Sequence, residues 1–225
     1  MLLLVTDTSG RQGSVALARA SSKPDDVEVI EGVPLSGGTF SAQLVPQIAS
    51  LLANHGFSKR EIGAFVVVAG PGSFTGLRVG LAVIKALSEI LQKPIAPVSL
   101  LEVVALASPG QGKVLAALDA GRGEFYVGEY ALDSNHADLV REQLLSKDEF
   151  FAMARESAAV TPDEALAAAL REASVPVTLV ALPDSDMIAR VGWHKLQAGK
   201  TVSPEQLEAN YIRRTDAEIL AKSTK

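Results

Sequence analysis

The densest chemical signal in the chain is the run Gly70-Pro71-Gly72-Ser73-Phe74-Thr75-Gly76-Leu77-Arg78. Glycines, two hydroxyls and an arginine just ahead of a helix suit a backbone that wraps an anion, because helix-start N–H groups point at negative charge. Two familiar nucleotide patterns fail on inspection. A Walker loop needs GxxxxGK[ST], but Gly76 comes one place late and is followed by Leu77-Arg78. The dinucleotide fingerprint GxGxxG needs glycine where Thr75 stands, and no strand-end acid follows about twenty residues on. What remains is a strand–turn–helix junction with two readings. Gly72, Ser73 and Thr75 either cradle an anion or form a tight turn in which Ser73 or Thr75 caps the helix.

Two carboxylates sit at strand ends beside glycine turns: Asp7, in Asp7-Thr8-Ser9, and Asp119, with Arg122 close behind. Acids so placed can hold a metal–nucleotide or orient water, or simply accept neighbouring backbone N–H groups in an Asx turn. The histidines, His55, His136 and His194, are isolated, and no two share the i, i+4 spacing of a helical zinc pair. There is no cysteine, which excludes a disulfide framework, a thiolate metal site and a cysteine nucleophile. No GxSxG elbow is present. The residues therefore predict neither a catalytic group nor a metal site. A net charge of −5 also disfavours autonomous nucleic-acid binding, which is dominated by phosphate neutralisation.

These groups need a scaffold, and 225 residues with 48% apolar and 21% charged side chains can build one without staples. Apolar runs at 2–8, 14–20 and 27–33, separated by turn residues, predict a β-meander. A helix is predicted at 40–55, with Leu44, Ile48, Leu51 and Leu52 on one face, Pro46 in an early turn and Gly56 as its stop. A buried strand at 64–69 leads through the glycine run into a helix at 75–92. The polar residues of that helix (Arg78, Lys85, Ser88, Glu89 and Gln92) fall on one narrow stripe. A helix so apolar must be covered on more than one side, by its own sheet and by a second helix or another protein. A strand at 95–98 and a helix at 99–107 follow, and the turn formers at 108–112 mark a boundary. The second half restarts with strands at 114–119 and 124–132, an echo of the Asp7 region that suggests duplication. Helices at 147–156, 162–173 and 184–198 and a strand at 177–181 complete it. The start, MLLLV, has no basic n-region, and no apolar run is long enough to span a bilayer, so a soluble cytoplasmic protein is expected.

The run 68–80, Asp7-Thr8-Ser9, Leu44-Val45-Pro46, Asp119-Ala120-Gly121-Arg122-Gly123-Glu124-Phe125-Tyr126 and Tyr211-Ile212-Arg213 together resemble the bacterial TsaB (YeaZ) family. Its members are components of the machinery that makes threonylcarbamoyladenosine in tRNA. Phe40 stands where relatives often carry histidine, and Ala209 where proline commonly precedes the Tyr-x-Arg. The resemblance implies an α/β fold of two tandem ASKHA (actin/Hsp70-like ATPase) domains, ribonuclease H-like, with mixed sheets flanked by helices. The domains are expected at 1–107 and 108–208, with a tail, 209–225, packing back on the first. It further implies no catalysis by this chain and no tightly bound cofactor. The expected role is that of a scaffold and activating subunit for transfer of a threonylcarbamoyl group to adenine next to the anticodon, in tRNAs reading codons that start with A. The implied partners are TsaD, as a heterodimer, and TsaE, an ATPase through which the complex uses ATP. tRNA is reached through the complex, and a homodimer forms in isolation. The expected partner seam is Leu44, Ile48, Leu51, Leu52, Val79, Val83, Leu87 and Ile90, and Asp7, Thr8, Ser9, Gly72, Ser73, Thr75, Asp119 and Arg122 form a vestigial nucleotide or anion site. The rival expectation is an independent small enzyme, an ATP-dependent ASKHA phosphotransferase resting on Asp7, Asp119 and the glycine loop, or a peptidase.

Overall fold

The computed structural model describes residues 1–21, 26–36, 38–133 and 136–213. They form two compact units: 1–103 with 183–210, and 104–182 with 211–213.

The first unit opens on the predicted antiparallel meander of β1 (Leu2–Asp7), β2 (Gln12–Ala20) and β3 (Val27–Ser36). Helix α1 (Phe40–Asn54) follows, and Gly56, at φ +70°, ends it in the left-handed conformation that glycine tolerates best. Strand β4 (Ile62–Gly70) pairs parallel to β1, and β5 (Ile95–Ser99), reached through helix α2 (Phe74–Leu91), pairs parallel to β4. The sheet order is β3-β2-β1-β4-β5. β1 and β4 read as unbroken apolar runs because both faces of the sheet are covered. On one face Leu4, Leu17, Phe65 and Val67 pack with Leu44, Ile48, Leu51, Leu81 and Ile84 of α1 and α2. The unit boundary falls within helix α3 (Leu100–Leu106).

The second unit carries strands β6 (Gly112–Gly121), β7 (Glu124–Leu132) and β8 (Ala137–Ser146), then α4 (Lys147–Ala154), β9 (Ala158–Thr161), α5 (Glu164–Glu172) and β10 (Val177–Leu179). Its sheet order is β10-β9-β6-β7-β8. Phe150, Leu166 and Leu170 cover Leu115, Ala117 and Val127 on one face. β8 and β9 were not predicted. β8 is an edge strand with a charged, non-alternating sequence and a bulge, opposite Glu129 and Tyr130 of β7; β9 has only four residues.

The expected second domain, 108–208, needs correction. The chain returns to the first unit at Pro183, and helix α6 (Ser185–Gln197) lies against that unit's sheet, on β1 to β5. Its Ile188, Ala189, Val191 and Trp193 are buried, and a Cβ at Gly192 would collide with Val66, so only glycine lets this helix settle so low. Ser185 Oγ bonds Ser14 Oγ at 3.0 Å, and Lys195 pairs with Glu102 at 2.7 Å. Beyond α6, Val202 bridges to Ile95, Leu207 is buried, and Asn210 N donates to Ala69 O at 2.7 Å. The tail thus follows the first unit to Asn210. Arg213 then bonds the Glu124 carboxylate and Gly121 O of the second unit, and 214–225 lie outside the described residues. No described helix is long and apolar enough to cross a membrane.

Candidate functional site

Helix α1 has the sequence FSAQLVPQIASLLAN, fifteen residues without a charge. Its stripe of Leu44, Ile48, Leu51 and Leu52 turns inward and is buried. These four, expected at a partner seam, belong instead to the unit's own core: the strongest apolar stripe of a helix goes to the sheet beneath it. What α1 leaves outside is Ala42, Val45, Pro46, Ala49 and Ala53, with Val45 55% exposed, and the uncharged polar Ser41, Ser50 and Asn54. Pro46 lies in the second turn of the helix, not its first, so the carbonyl of Ala42 receives no N–H from it on this outer side.

Helix α2 packs beside α1 and buries Leu77, Leu81, Ile84 and Ser88. Of its polar stripe, Arg78, Glu89 and Gln92 are exposed and Lys85 is half-buried, but Ser88 is buried, and its hydroxyl donates to Lys93 O at 2.6 Å. Ala82, Ala86 and Ile90 are exposed, Ile90 at 70%, together with Thr75, Arg78 and Glu89. Of the expected seam on α2, Val79, Val83 and Leu87 are half-buried against the core and Ile90 projects outward. The expected seam did not include Val45, Ala49, Ala82 and Ala86, which the structure leaves exposed on these two helices. The available signal was the lack of charge at helical positions off the leucine stripe.

The glycine run forms the junction between β4 and α2, and its own chain fills it. Ser73 is the N-cap, its Oγ accepting from Gly76 N at 3.3 Å, while Ser73 N donates to Ser9 O at 2.6 Å. A Cβ at Gly72 would strike Ser9 O, and one at Gly76 would strike Thr8 O. Thr8 Oγ1 donates to Gly76 O at 2.8 Å. The glycines thus admit the segment Thr8-Ser9, and the Ser73 and Gly76 N–H groups, two donors that could have met an anion, already serve the chain. Asp7 sits beside this junction, with Oδ1 accepting from Ser9 N at 2.8 Å and Ser9 Oγ at 2.6 Å. Burial pushes its carboxyl above the usual carboxylate range, with the two Ser9 bonds pulling the other way. Asp7, Thr8, Ser9, Gly72, Ser73 and Thr75 therefore come from one junction.

Asp119 and Arg122 belong to the second unit. There Asp119 Oδ1 accepts from Gly121 N at 2.8 Å, and Arg122-Gly123 forms a two-residue hairpin with φ of +61° and +77°. Both aspartates thus bond the N–H two residues on, the Asx geometry. Among the described residues, no three His, Asp or Glu side chains cluster as a metal site would require.

Comparison with known proteins shows what the chain is similar to. The family model described as TsaD, tRNA N6-adenosine threonylcarbamoyltransferase, matches residues 35–184. The tRNA threonylcarbamoyladenosine biosynthesis protein TsaB of Bacillus subtilis is 34% identical over 58% of this chain, and the match spans only 55% of that relative's length. TsaB of Haemophilus influenzae is 26% identical over 95% of this chain and 94% of its own. YeaZ from Pseudomonas aeruginosa shares the fold with a TM-score of 0.71 at 24% identity, covering 93% of this chain and 99% of its own.

Proposed function

The chain belongs to the TsaB (YeaZ) family, and from that premise we propose that it is a non-catalytic scaffold and activating subunit in the formation of threonylcarbamoyladenosine in tRNA. It pairs with the transferase TsaD through the outer faces of α1 and α2. The pair recruits the ATPase TsaE, which supplies ATP turnover, and the complex carries a threonylcarbamoyl group to adenine next to the anticodon in tRNAs reading codons that start with A. The chain works in the cytoplasm, and without TsaD the same face pairs with a second copy.

One observation carries this reading: a charge-free helix beside a second that exposes Ala82, Ala86 and Ile90. A helix face meant for water carries charged side chains, whereas apolar surface without charge marks a protein–protein contact. The packing of Thr8 and Ser9 against the glycine junction also supports a companion over an independent phosphotransferase. tRNA is reached through the complex, in keeping with the chain's net charge of −5.

The test is reconstitution. TsaD, TsaE, tRNA and threonylcarbamoyl-adenylate are mixed with and without this chain, and modified tRNA is measured. Omitting the chain abolishes modification, and Ile90→Glu lowers affinity for TsaD about a hundredfold, because a charge is buried without a partner. Full modification without the chain, or turnover of Mg-ATP by the chain alone, defeats the proposal.

A further inference from the structure

We propose that Thr8 is the positioning residue for the docking face, its buried hydroxyl fixing the seat of α2 on the first unit's sheet and so the level at which Ala82, Ala86 and Ile90 are presented. The inference rests on the docking reading above and deepens it.

Thr8 follows β1 directly and is 2% exposed. Its Oγ1 donates to the carbonyl of Gly76, in the first turn of α2, at 2.8 Å. For a strand-end hydroxyl to reach a helix carbonyl, the helix must come down almost onto the backbone. Two glycines one turn apart on the same face allow it. A Cβ on Gly76 would fall on Thr8 O, and one on Gly80 would fall on Thr8 Oγ1. At 100° per residue, Ala82 lies about 120–160° around the helix from Gly76 and Gly80, Ala86 about 80–120° and Ile90 about 40–80°, so the three run from the far side of α2 to its flank. Anything that lifts or rolls α2 off Thr8 therefore pushes Ala82 outward and shifts Ala86 and Ile90, on the flank, relative to Val45 of α1.

Thr6 provides a control within the same strand. It lies two residues earlier on the same strand face, it is fully buried, and its hydroxyl has no hydrogen-bond partner. Exchanging it for valine removes a polar atom that gains nothing from burial, whereas the same exchange at Thr8 removes the bond to Gly76.

The experiment compares Thr6→Val, Thr8→Val, Thr8→Ser, Gly80→Ala, Thr8→Ala and Thr8→Ala/Gly80→Ala in the full chain. The readouts are circular dichroism for the fold, amide hydrogen exchange along 76–91, and affinity for the transferase subunit by calorimetry. Thr8→Val speeds exchange in α2 and weakens binding about tenfold, Thr8→Ser restores both, and Thr6→Val changes neither. Gly80→Ala disturbs exchange and binding more than Thr8→Val. In the Thr8→Ala background the added methyl costs little beyond Thr8→Ala itself, because the atom it would strike is gone and the nearest remaining Thr8 atom, Cβ, lies at 3.4 Å. A folded Thr8→Val protein with wild-type exchange and binding overturns the inference, and so does a Gly80→Ala penalty that is unchanged in the Thr8→Ala background. If Gly80→Ala fails to fold, the contrast between Thr8→Val and Thr6→Val decides. Wild-type binding by Ile90→Glu defeats the docking reading instead, and exchange along α2 then judges Thr8 alone.

Discussion

The two units thread five strands in the same order, β3-β2-β1-β4-β5 in one and β8-β7-β6-β9-β10 in the other, and each places an aspartate at or near the end of its first strand. Their helices diverge. In the first unit, the helices after the third and fourth strands are α1 and α2, of 15 and 18 residues; in the second they are α4 and α5, of 8 and 9. The outer side of α4 and α5 shows Lys147, Asp148, Glu149, Glu164, Arg171 and Glu172, a solvated face, whereas α1 carries no charge. One topology thus serves two purposes. Long, charge-poor helices leave the apolar surface proposed above for docking, and short, charged helices close a core and stop there. The aspartates differ as well. Asp7 is buried enough for its carboxyl to be pushed upward, while Asp119 is exposed beside a hairpin tip.

The largest effect that would break this comparison is a glutamate on each helical face. Val45→Glu on α1 abolishes pull-down of TsaD, whereas Ala168→Glu on α5, also an exposed helical alanine, leaves it intact. Equal loss from both variants removes the distinction between the units. Next comes Gly192→Ala, which forces a methyl into Val66 beneath α6 and destabilises the first unit by about 3 kcal/mol in urea unfolding. A negligible cost would mean that α6 is not seated on that sheet.

Two smaller effects sharpen the contrast through pH. A bond from Lys113, aided by Arg141, holds the Glu129 carboxyl of the second unit below its usual range. The folded state then binds fewer protons than the unfolded one, so this stability is present above about pH 4.5 and is lost as pH falls through the lowered value. Glu129→Gln flattens the acid limb of a thermal-melt profile, and an unchanged limb refutes the assignment. Asp7 runs the other way. Its raised value makes the folded state hold its proton longer, so stability declines as pH rises from about 3.8 through the folded value. Asp7→Asn, which can still accept the Ser9 bonds, raises the melting temperature at pH 7, the smallest of these changes. A lower temperature contradicts the cost assigned to burial.

Much of this was legible in the residues. The meander, helices α1 and α2, the buried run 64–69 and a cap at Ser73 or Thr75 follow from periodicity and capping chemistry, which act over a few neighbouring residues. Gly56 was readable as a helix stop for the same reason. β8 was not, because an edge strand dressed with Asp138, Arg141 and Glu142 to discourage pairing loses the alternation that identifies strands. The glycine run was legible as a junction but ambiguous in purpose, since glycines that admit a phosphate and glycines that admit a backbone are spelled alike.

By itself, the sequence determined the family, the α/β class, the repeated strand–turn–strand and the presence of two oily helices, all properties of local pattern and motif spacing. Only the tertiary structure decided which side of those helices the protein keeps. The sheet claims the leucine stripe of α1, because burial there removes the most apolar area from water, and the weaker face of Val45 and Ala49 is left outside. It also decided that α6 crosses back to the first unit, and that Thr8 fills the space opened by Gly76 and Gly80. Those contacts join residues 68 or more positions apart, beyond the reach of any local pattern.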